Sequence, residues 1–231
     1  MSHIAILPAR GGSKRIPGKN IMDFSGKPMI SYPLEAAKIS GLFSKIHVST
    51  DNDLIAETVT SLGFEIDFMR TPELADDFTG VLDVARFVLD EYKKRGQTFE
   101  SFALIMPCSP FLTPDDLKRG YETYHKFGAR QPVLSVCEYN APIEWAFEID
   151  LEGALQALHP EKLAFRSQDF SKKYYDTGTF SIQNAKHVLE SSEKVPSKFL
   201  PCPIPKRRAI DIDNREDLSF AAALYQTLLG R

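Results

Sequence analysis

Residues 9–20 read ARGGSKRIPGKN, and residues 209–218, near the carboxyl end, read AIDIDNREDL. The first stretch sets Arg10, Lys14, Arg15 and Lys19 around Gly11, Gly12 and Gly18. Glycines free the backbone to turn and expose N–H groups, and the cations add charge, so the combination suits a phosphate-rich ligand. It is not a Walker A loop. Gly18-Lys19 would need glycine where Ser13 stands, and Asn20 replaces the magnesium-binding hydroxyl. Ser13 adds a donor, Arg10 can fork onto a phosphate, and the turn pair Pro17-Gly18 directs Lys19. In the second stretch Asp211 and Asp213 are two residues apart. An extended backbone turns both carboxylates to one side and Ile212 to the other. Such a pair suits one hard cation that also binds phosphate oxygens. Each pattern has a plainer reading as well: a solvated basic loop, and caps for a terminal helix.

The elements that must position these residues follow from hydrophobic periodicity. Short apolar runs at 3–7, 45–50, 101–106 and 131–139 read as buried strands, and 64–69 alternates like one. Between them, 28–40, 51–63, 79–96 and 113–128 have helical spacing. Gly41 stops the first of these helices, and acids at Asp51 and Asp53 open the second. Thr113 caps the fourth, with Pro114 at its first position. This alternation implies an α/β fold with an open, mostly parallel, Rossmann-like sheet and helices on both faces. Ligands of such sheets bind beyond the carboxyl ends of the strands, which is where residues 8–20 lie. The dinucleotide fingerprint GxGxxG is missing. From 138 to 177 the rhythm breaks, and the stretch reads as a β-rich insertion in which Trp145 packs. Strands resume at 179–184, an extended segment follows at 198–205, and the final segment starts as a strand and turns helical from Arg215.

The chain has 231 residues, 43% hydrophobic and 26% charged, and so can bury a core without staples. Its net charge of −3 argues against nucleic-acid and anionic-membrane partners. The basic cluster in residues 1–30 is therefore local: five Lys and Arg stand against one acid, Asp23. Three separated cysteines form neither a disulfide framework nor a zinc site. With no leader-like start and no spanning apolar run, a cytoplasmic protein is expected.

LPARGGSKRIPGKN resembles the signature of the cytidylyltransferases that activate acidic sugars, the acylneuraminate family with its pseudaminate and legionaminate relatives. VSTDNDLIAE (48–57), RTPELADD (70–77), PCSPFLT (107–113) and AIDIDNREDL match it in order along nearly the whole chain. The resemblance implies a CTP-binding nucleotidyltransferase domain formed by 1–137 and 178–231. Residues 138–177 become an inserted arm that builds a homodimer. It also implies Mg2+, held by Asp211 and Asp213. Arg10, Ser13, Lys19 and Asn20, with Gly12, would face the triphosphate. Leu7 and Ala9 would approach the nucleoside through their backbones, and Arg70 would read the cytosine edge. Arg10, Lys19 and Asp211 are the implied catalytic residues, with Asp211 or a water accepting the proton.

By the same resemblance, Cys108, Ser109, Arg166, Asp176 and Gly178 would meet an acidic nine-carbon sugar, Arg166 by reaching the partner subunit. Met106 and Cys108 depart from the Gln and Thr of many sialic acid enzymes, and Met106 cannot hydrogen-bond a hydroxyl or acyl group. RSQDFSKKYYDTG (166–178) resembles the pseudaminate branch instead, although TFSIQN keeps only Phe180 of its aromatic strand. Open alternatives are an enzyme for the eight-carbon acid 3-deoxy-manno-octulosonate, a glycosyltransferase using DxD, and a non-catalytic nucleotide-binding protein.

Overall fold

In the computed structural model, which describes residues 2–191 and 195–229, six strands form one sheet in the order β10-β6-β9-β5-β1-β4. They are β1 (His3–Pro8), β4 (Lys45–Ser49), β5 (Ser101–Ile105), β6 (Val133–Glu138), β9 (Tyr174–Asn184) and β10 (Leu200–Pro203). β1 runs parallel to β4 and β5, and β10 parallel to β6; β9 alone runs antiparallel, between β5 and β6. The remaining strands form two small hairpins, β2 (Asp23–Phe24) with β3 (Lys27–Pro28) and β7 (Phe147–Ile149) with β8 (Leu155–Ala157).

The period of two in β1 and β5 divides the interior. Ala5, Leu7, Ala103 and Ile105 face one core, while Ile4, Ile6, Phe102 and Leu104 face the other. The first core is covered by α1 (Ser31–Ser40), α2 (Asp53–Ser61) and α4 (Pro114–Lys126), through Leu34, Ile55, Val59, Leu117 and Tyr121. The second is covered by α3 (Val81–Lys94) and α5 (Ala185–Glu190), through Val88, Leu89, Tyr92 and Val188. Each such side chain contributes about 1.5–3 kcal/mol on burial.

A third, smaller core bears directly on the site. Ile16 of the glycine loop, Phe24, Met29, Tyr32, Phe111, Ile212 and Ala221 of α6 (Arg215–Leu229) pack together. Tyr225 meets the rings of Phe24 and Tyr32 edge-on, with centroids 5.4 and 5.2 Å away. This cluster joins the amino-terminal loop to the segment carrying Asp211 and Asp213.

Most helix ends follow the local signals. Thr113 and Asp116 form a reciprocal capping box at α4, and Gly41 closes α1 at φ 68°. Three expectations fail. Residues 64–69 alternate in burial and lie against β4, the edge strand of the sheet, but meet it through side chains, Lys45 with Asp67 and His47 with Phe68, and form no backbone ladder. Residues 209–213 form no strand, and after a bend at Asn214 the helix begins at Arg215. The cap of α2 is Asn52, whose side chain accepts from Ile55 N at 3.1 Å, rather than Asp51 or Asp53. Between β6 and β9 lie the β7–β8 hairpin and short 3-10 turns, where Trp145 packs edge-on against Phe170.

Candidate active site

The glycine loop and the twin aspartates meet. A cleft of about 490 Å³ is lined by Arg10, Ser13, Lys14, Arg15, Lys19 and Asn20 on one side and by Gly178, Asp211 and Asp213 on the other, with Met106, Pro107 and Cys108 between. It opens beyond the carboxyl ends of β1 and β5, as expected for such a sheet. Ile212 is fully buried, so the two acids share one side as their spacing predicts.

The loop holds its shape through few contacts. Gly18 adopts φ 65° in the turn after Pro17, and Lys19 N bonds Ile16 O at 3.2 Å. Gly11 N donates to Asp51 Oδ1 at 3.0 Å, and a methyl group at Gly11 would press within 2.9 Å of Asn52 Cβ. Gly12 has open space around it and lines neither cleft. Asn20, 8% exposed, donates to Arg10 O at 3.0 Å and accepts from Cys108 Sγ at 3.3 Å. Burial pushes that thiol up to about 12, so Cys108 is a neutral donor.

Each cation of the cleft is paired with an acid. Arg10 meets Asp77 at 2.9 Å and the Asp76 carbonyl at 2.6 Å, and Lys14 also meets Asp77. Arg15 and Lys19 meet Asp213 at 2.9 and 3.7 Å. Lys14 and Arg10 hold the Asp77 carboxyl below its usual range. Asp211 moves the other way: the partial desolvation its carboxylate meets in the cleft and then the Asp213 charge raise it, against Lys19 and Arg15.

A second cleft of about 230 Å³ adjoins the first across Pro8, Arg10, Asp77 and Met106, and Arg70 lines it. Arg70 is 6% exposed, not a surface residue before a turn. It donates to Ser49 Oγ at 3.2 Å, Ser49 O at 2.6 Å and Leu74 O at 3.3 Å, which leaves N–H groups of its fork uncommitted. Leu7 and Ala9 are fully buried on either side of Pro8, and Ala9 N is committed to Ser49 O at 2.9 Å. Ser109 is buried and does not line the cleft. Asp176 lies at the rim, accepting from Gly178 N at 2.9 Å. Arg166 is outside the cleft of its own chain, paired with Asp169 at 3.0 Å. The basic run at 206–208 divides: Arg208 turns inward to Asp116, while Lys206 and Arg207 are exposed. The sequence offers no sign of the roles of Asp77 and Asp116; both become visible only as partners of distant arginines.

Among the described residues no group of three or more His, Cys, Asp or Glu side chains could cage a metal. Two carboxylates nevertheless suit Mg2+, which takes one or two and draws its other ligands from substrate phosphates and water. Their mutual repulsion favours a cation, and Gly178 leaves room beside Asp211. The donor set therefore fits Mg2+.

A mostly parallel α/β sheet with a phosphate-suited loop at its carboxyl edge defines a nucleotide-using enzyme. The chain matches the family model described as Cytidylyltransferase over residues 4–196, and it belongs to that family, an enzyme of the nucleotidyltransferase class. It is 33% identical to the pseudaminic acid cytidylyltransferase of Campylobacter jejuni, over 98% of this chain and 97% of that one. It is 29% identical to the CMP-N,N'-diacetyllegionaminic acid synthase of Legionella pneumophila, again over 98% and 97%. The fold is also that of a CMP:2-keto-3-deoxy-manno-octonic acid synthetase solved with CTP, with TM-score 0.73 at 17% identity over 99% of this chain and 100% of that one.

Proposed function

We propose that this enzyme transfers a cytidylyl group from CTP to an acidic nine-carbon sugar of the pseudaminic acid class, releasing pyrophosphate. The observation that carries this reading is the convergence of four loop cations and the Asp211–Asp213 pair on one cleft. The relatives named above supply the substrate class.

In this reading the second cleft takes the base, with the uncommitted donors of Arg70 facing the cytosine edge. The triphosphate lies along Arg10, Ser13, Lys14, Arg15 and Lys19. The sugar fills the side bounded by Met106, Cys108, Asp176 and Gly178, where the methionine offers an apolar surface. The anomeric hydroxyl attacks the α-phosphorus, the bond to the bridging oxygen breaks, and the hydroxyl proton passes to the Asp211 carboxylate. The loop cations stabilise the charge that builds on the departing pyrophosphate. Asp211 and Asp213 would hold Mg2+, whose charge, when it is bound, offsets that of the phosphates. Arg15 and Lys19, paired with Asp213 here, would turn from it to the phosphates of the nucleotide.

Residues 1–137 and 178–231 form the catalytic unit in this proposal, and 138–177 the arm that joins two copies. Exposed Phe147, Ile149, Leu151, Leu155, Leu158 and Phe165 support that role, since monomers rarely expose so much apolar surface together. Three free cysteines are consistent with the reducing cytoplasm. No helix among the described residues is long and apolar enough to cross a membrane.

Pyrophosphate release with each nucleoside triphosphate, Mg2+ and a panel of eight- and nine-carbon keto acids tests the reading. Release with CTP and a pseudaminate-type acid is expected. Release only with the eight-carbon acid would replace the sugar assignment, and tight CTP binding without release from any acid would remove the catalytic one.

A further inference from the structure

We infer that the pair of half-buried Arg208 and fully buried Asp116 is a positioning device for the acid pair of the cleft, setting where Asp211 stands against the wall formed by residues 106–113. This rests on the reading of Asp211 and Asp213 as the metal-binding acids.

Arg208 ends a short turn, Lys206–Arg208, three residues before Asp211. Its guanidinium grips both oxygens of Asp116, with NH2 at 2.9 Å from Oδ1 and NH1 against Oδ2. The same NH1 donates to the carbonyl of Phe111 at 3.2 Å. Asp116 is fully buried in the first turn of α4, where it also accepts from Thr113 N at 3.0 Å and Thr113 Oγ1 at 2.7 Å. Residues 106–108 at the head of this segment line the cleft.

On the other side of Asp211, Ile212 packs with Phe111 in the third core. Asp211 thus lies between two fastenings, one polar and one apolar, that both engage the same short stretch of wall. Residues 209–213 make no strand ladder, so side chains must supply the constraint that a sheet would otherwise give.

Charge balance alone does not require Arg208. Arg119, one turn along α4, already reaches Asp116 Oδ1 at 2.5 Å. What Arg208 adds is the link across 92 residues of chain to the segment that bears the acids. A lysine at 208 would keep the charge but could not hold two carboxylate oxygens and the Phe111 carbonyl in one plane.

The test compares Arg208→Lys with Arg119→Gln, which weakens the same carboxylate's partners without touching residues 209–213. Hydrogen–deuterium exchange of the peptide covering 209–214 reads the fastening directly. Mn2+ titration followed by electron paramagnetic resonance, in the presence of CTP, reads its consequence. In Arg208→Lys we expect faster exchange in that peptide and Mn2+ affinity lower by about tenfold, the usual cost of losing a group that orients a metal ligand. Arg119→Gln should match wild type in both. Should Arg208→Lys not fold, Asp116→Asn, which keeps the side-chain shape and the Thr113 contact, is expected to give the same two changes.

Unchanged exchange at 209–214 in a folded variant, or faster exchange with unchanged Mn2+ affinity, would overturn the positioning role alone. Wild-type protein that binds no Mn2+ with CTP would instead overturn the metal assignment, and the positioning role with it.

Discussion

Gly178 lies against the Asp211 carboxylate, so closely that a methyl group on its Cα would stand 3.1 Å from Oδ2. Its backbone is in the left-handed region at φ 61°, held by the bond from its N–H to Asp176. Both facts call for glycine. Gly178→Ala would strain the backbone by about 1–2 kcal/mol and make the Asp211 carboxylate give way slightly. Displacement of a reacting group by a full ångström costs about a hundredfold in rate, so this smaller shift should lower kcat for pyrophosphate release by about tenfold, with a small drop in the unfolding midpoint. Activity within twofold of wild type would show that Asp211 does not depend on this contact.

Asp211 and Asp213 should not respond alike to neutralisation. Asp213 is the counter-charge of Arg15 and Lys19, whereas Asp211 makes no ion pair among the described residues. Asp213→Asn should slow turnover with Mg2+ yet tighten CTP binding in EDTA, because two cations lose their internal partner. Exposed pairs are worth about 0.2–1 kcal/mol each, so losing two gives about two- to thirtyfold by calorimetry. Asp211→Asn should cut kcat sharply and leave metal-free CTP binding almost unchanged. Equal behaviour of the two variants in EDTA would contradict this division.

Asp77 plays the matching part on the opposite side. It holds Arg10 and Lys14, and it sits on the stretch 71–80 that also bounds the second cleft. An entering triphosphate must take both cations from it. Asp77→Asn is expected to lower the Kd for CTP by about two- to thirtyfold at low salt, with the advantage shrinking as salt screens the two exposed pairs. Weaker CTP binding in the variant would mean that Asp77 orients the two cations rather than competing for them.

The site is legible in the sequence to the extent that its chemistry is local. Pro17-Gly18, the cations around it and the two-residue spacing of Asp211 and Asp213 suggest phosphate and metal chemistry locally, but each also reads as a solvated loop or a helix cap until the two are seen together. Their meeting is a tertiary fact, made by Ile16, Phe111 and Ile212 packing in the third core. In the sequence Lys206, Arg207 and Arg208 fit an exposed basic run and a phosphate or sugar contact equally well; the partner of Arg208, Asp116, lies far away in the chain and serves locally in the capping box of α4. Residues 64–69 show the same limit for the fold. Their alternation correctly marks which side chains are half-buried, yet the segment meets the open edge of β4 only through side chains, and periodicity carries no information about whether backbone groups will pair.

His47 gives a pH signature independent of catalysis. It is fully buried on β4, stacked on Phe68 at 4.4 Å with its Nδ1 3.1 Å from Tyr92 OH. Burial is the main influence and lowers the imidazole to about 4; Asp67 opposes the shift, while Lys45, Arg70 and Arg95 reinforce it. The unfolded chain takes up the proton near pH 6.5, whereas the folded chain does so only near pH 4. The folded-state value is depressed, so between these limits the unfolded state binds more protons and stability falls as pH falls. The stabilisation is complete above about pH 6.5 and amounts to a loss of about 2 kcal/mol by pH 5. His47→Phe keeps the stacking on Phe68 and removes the titration, leaving Tyr92 its bond to Asp67. Urea unfolding of both proteins at pH 7 and pH 5 should therefore show wild type losing ground to the variant by about that amount. Parallel losses would mean that the imidazole is already protonated in the folded state, paired with Asp67 rather than neutral against Tyr92.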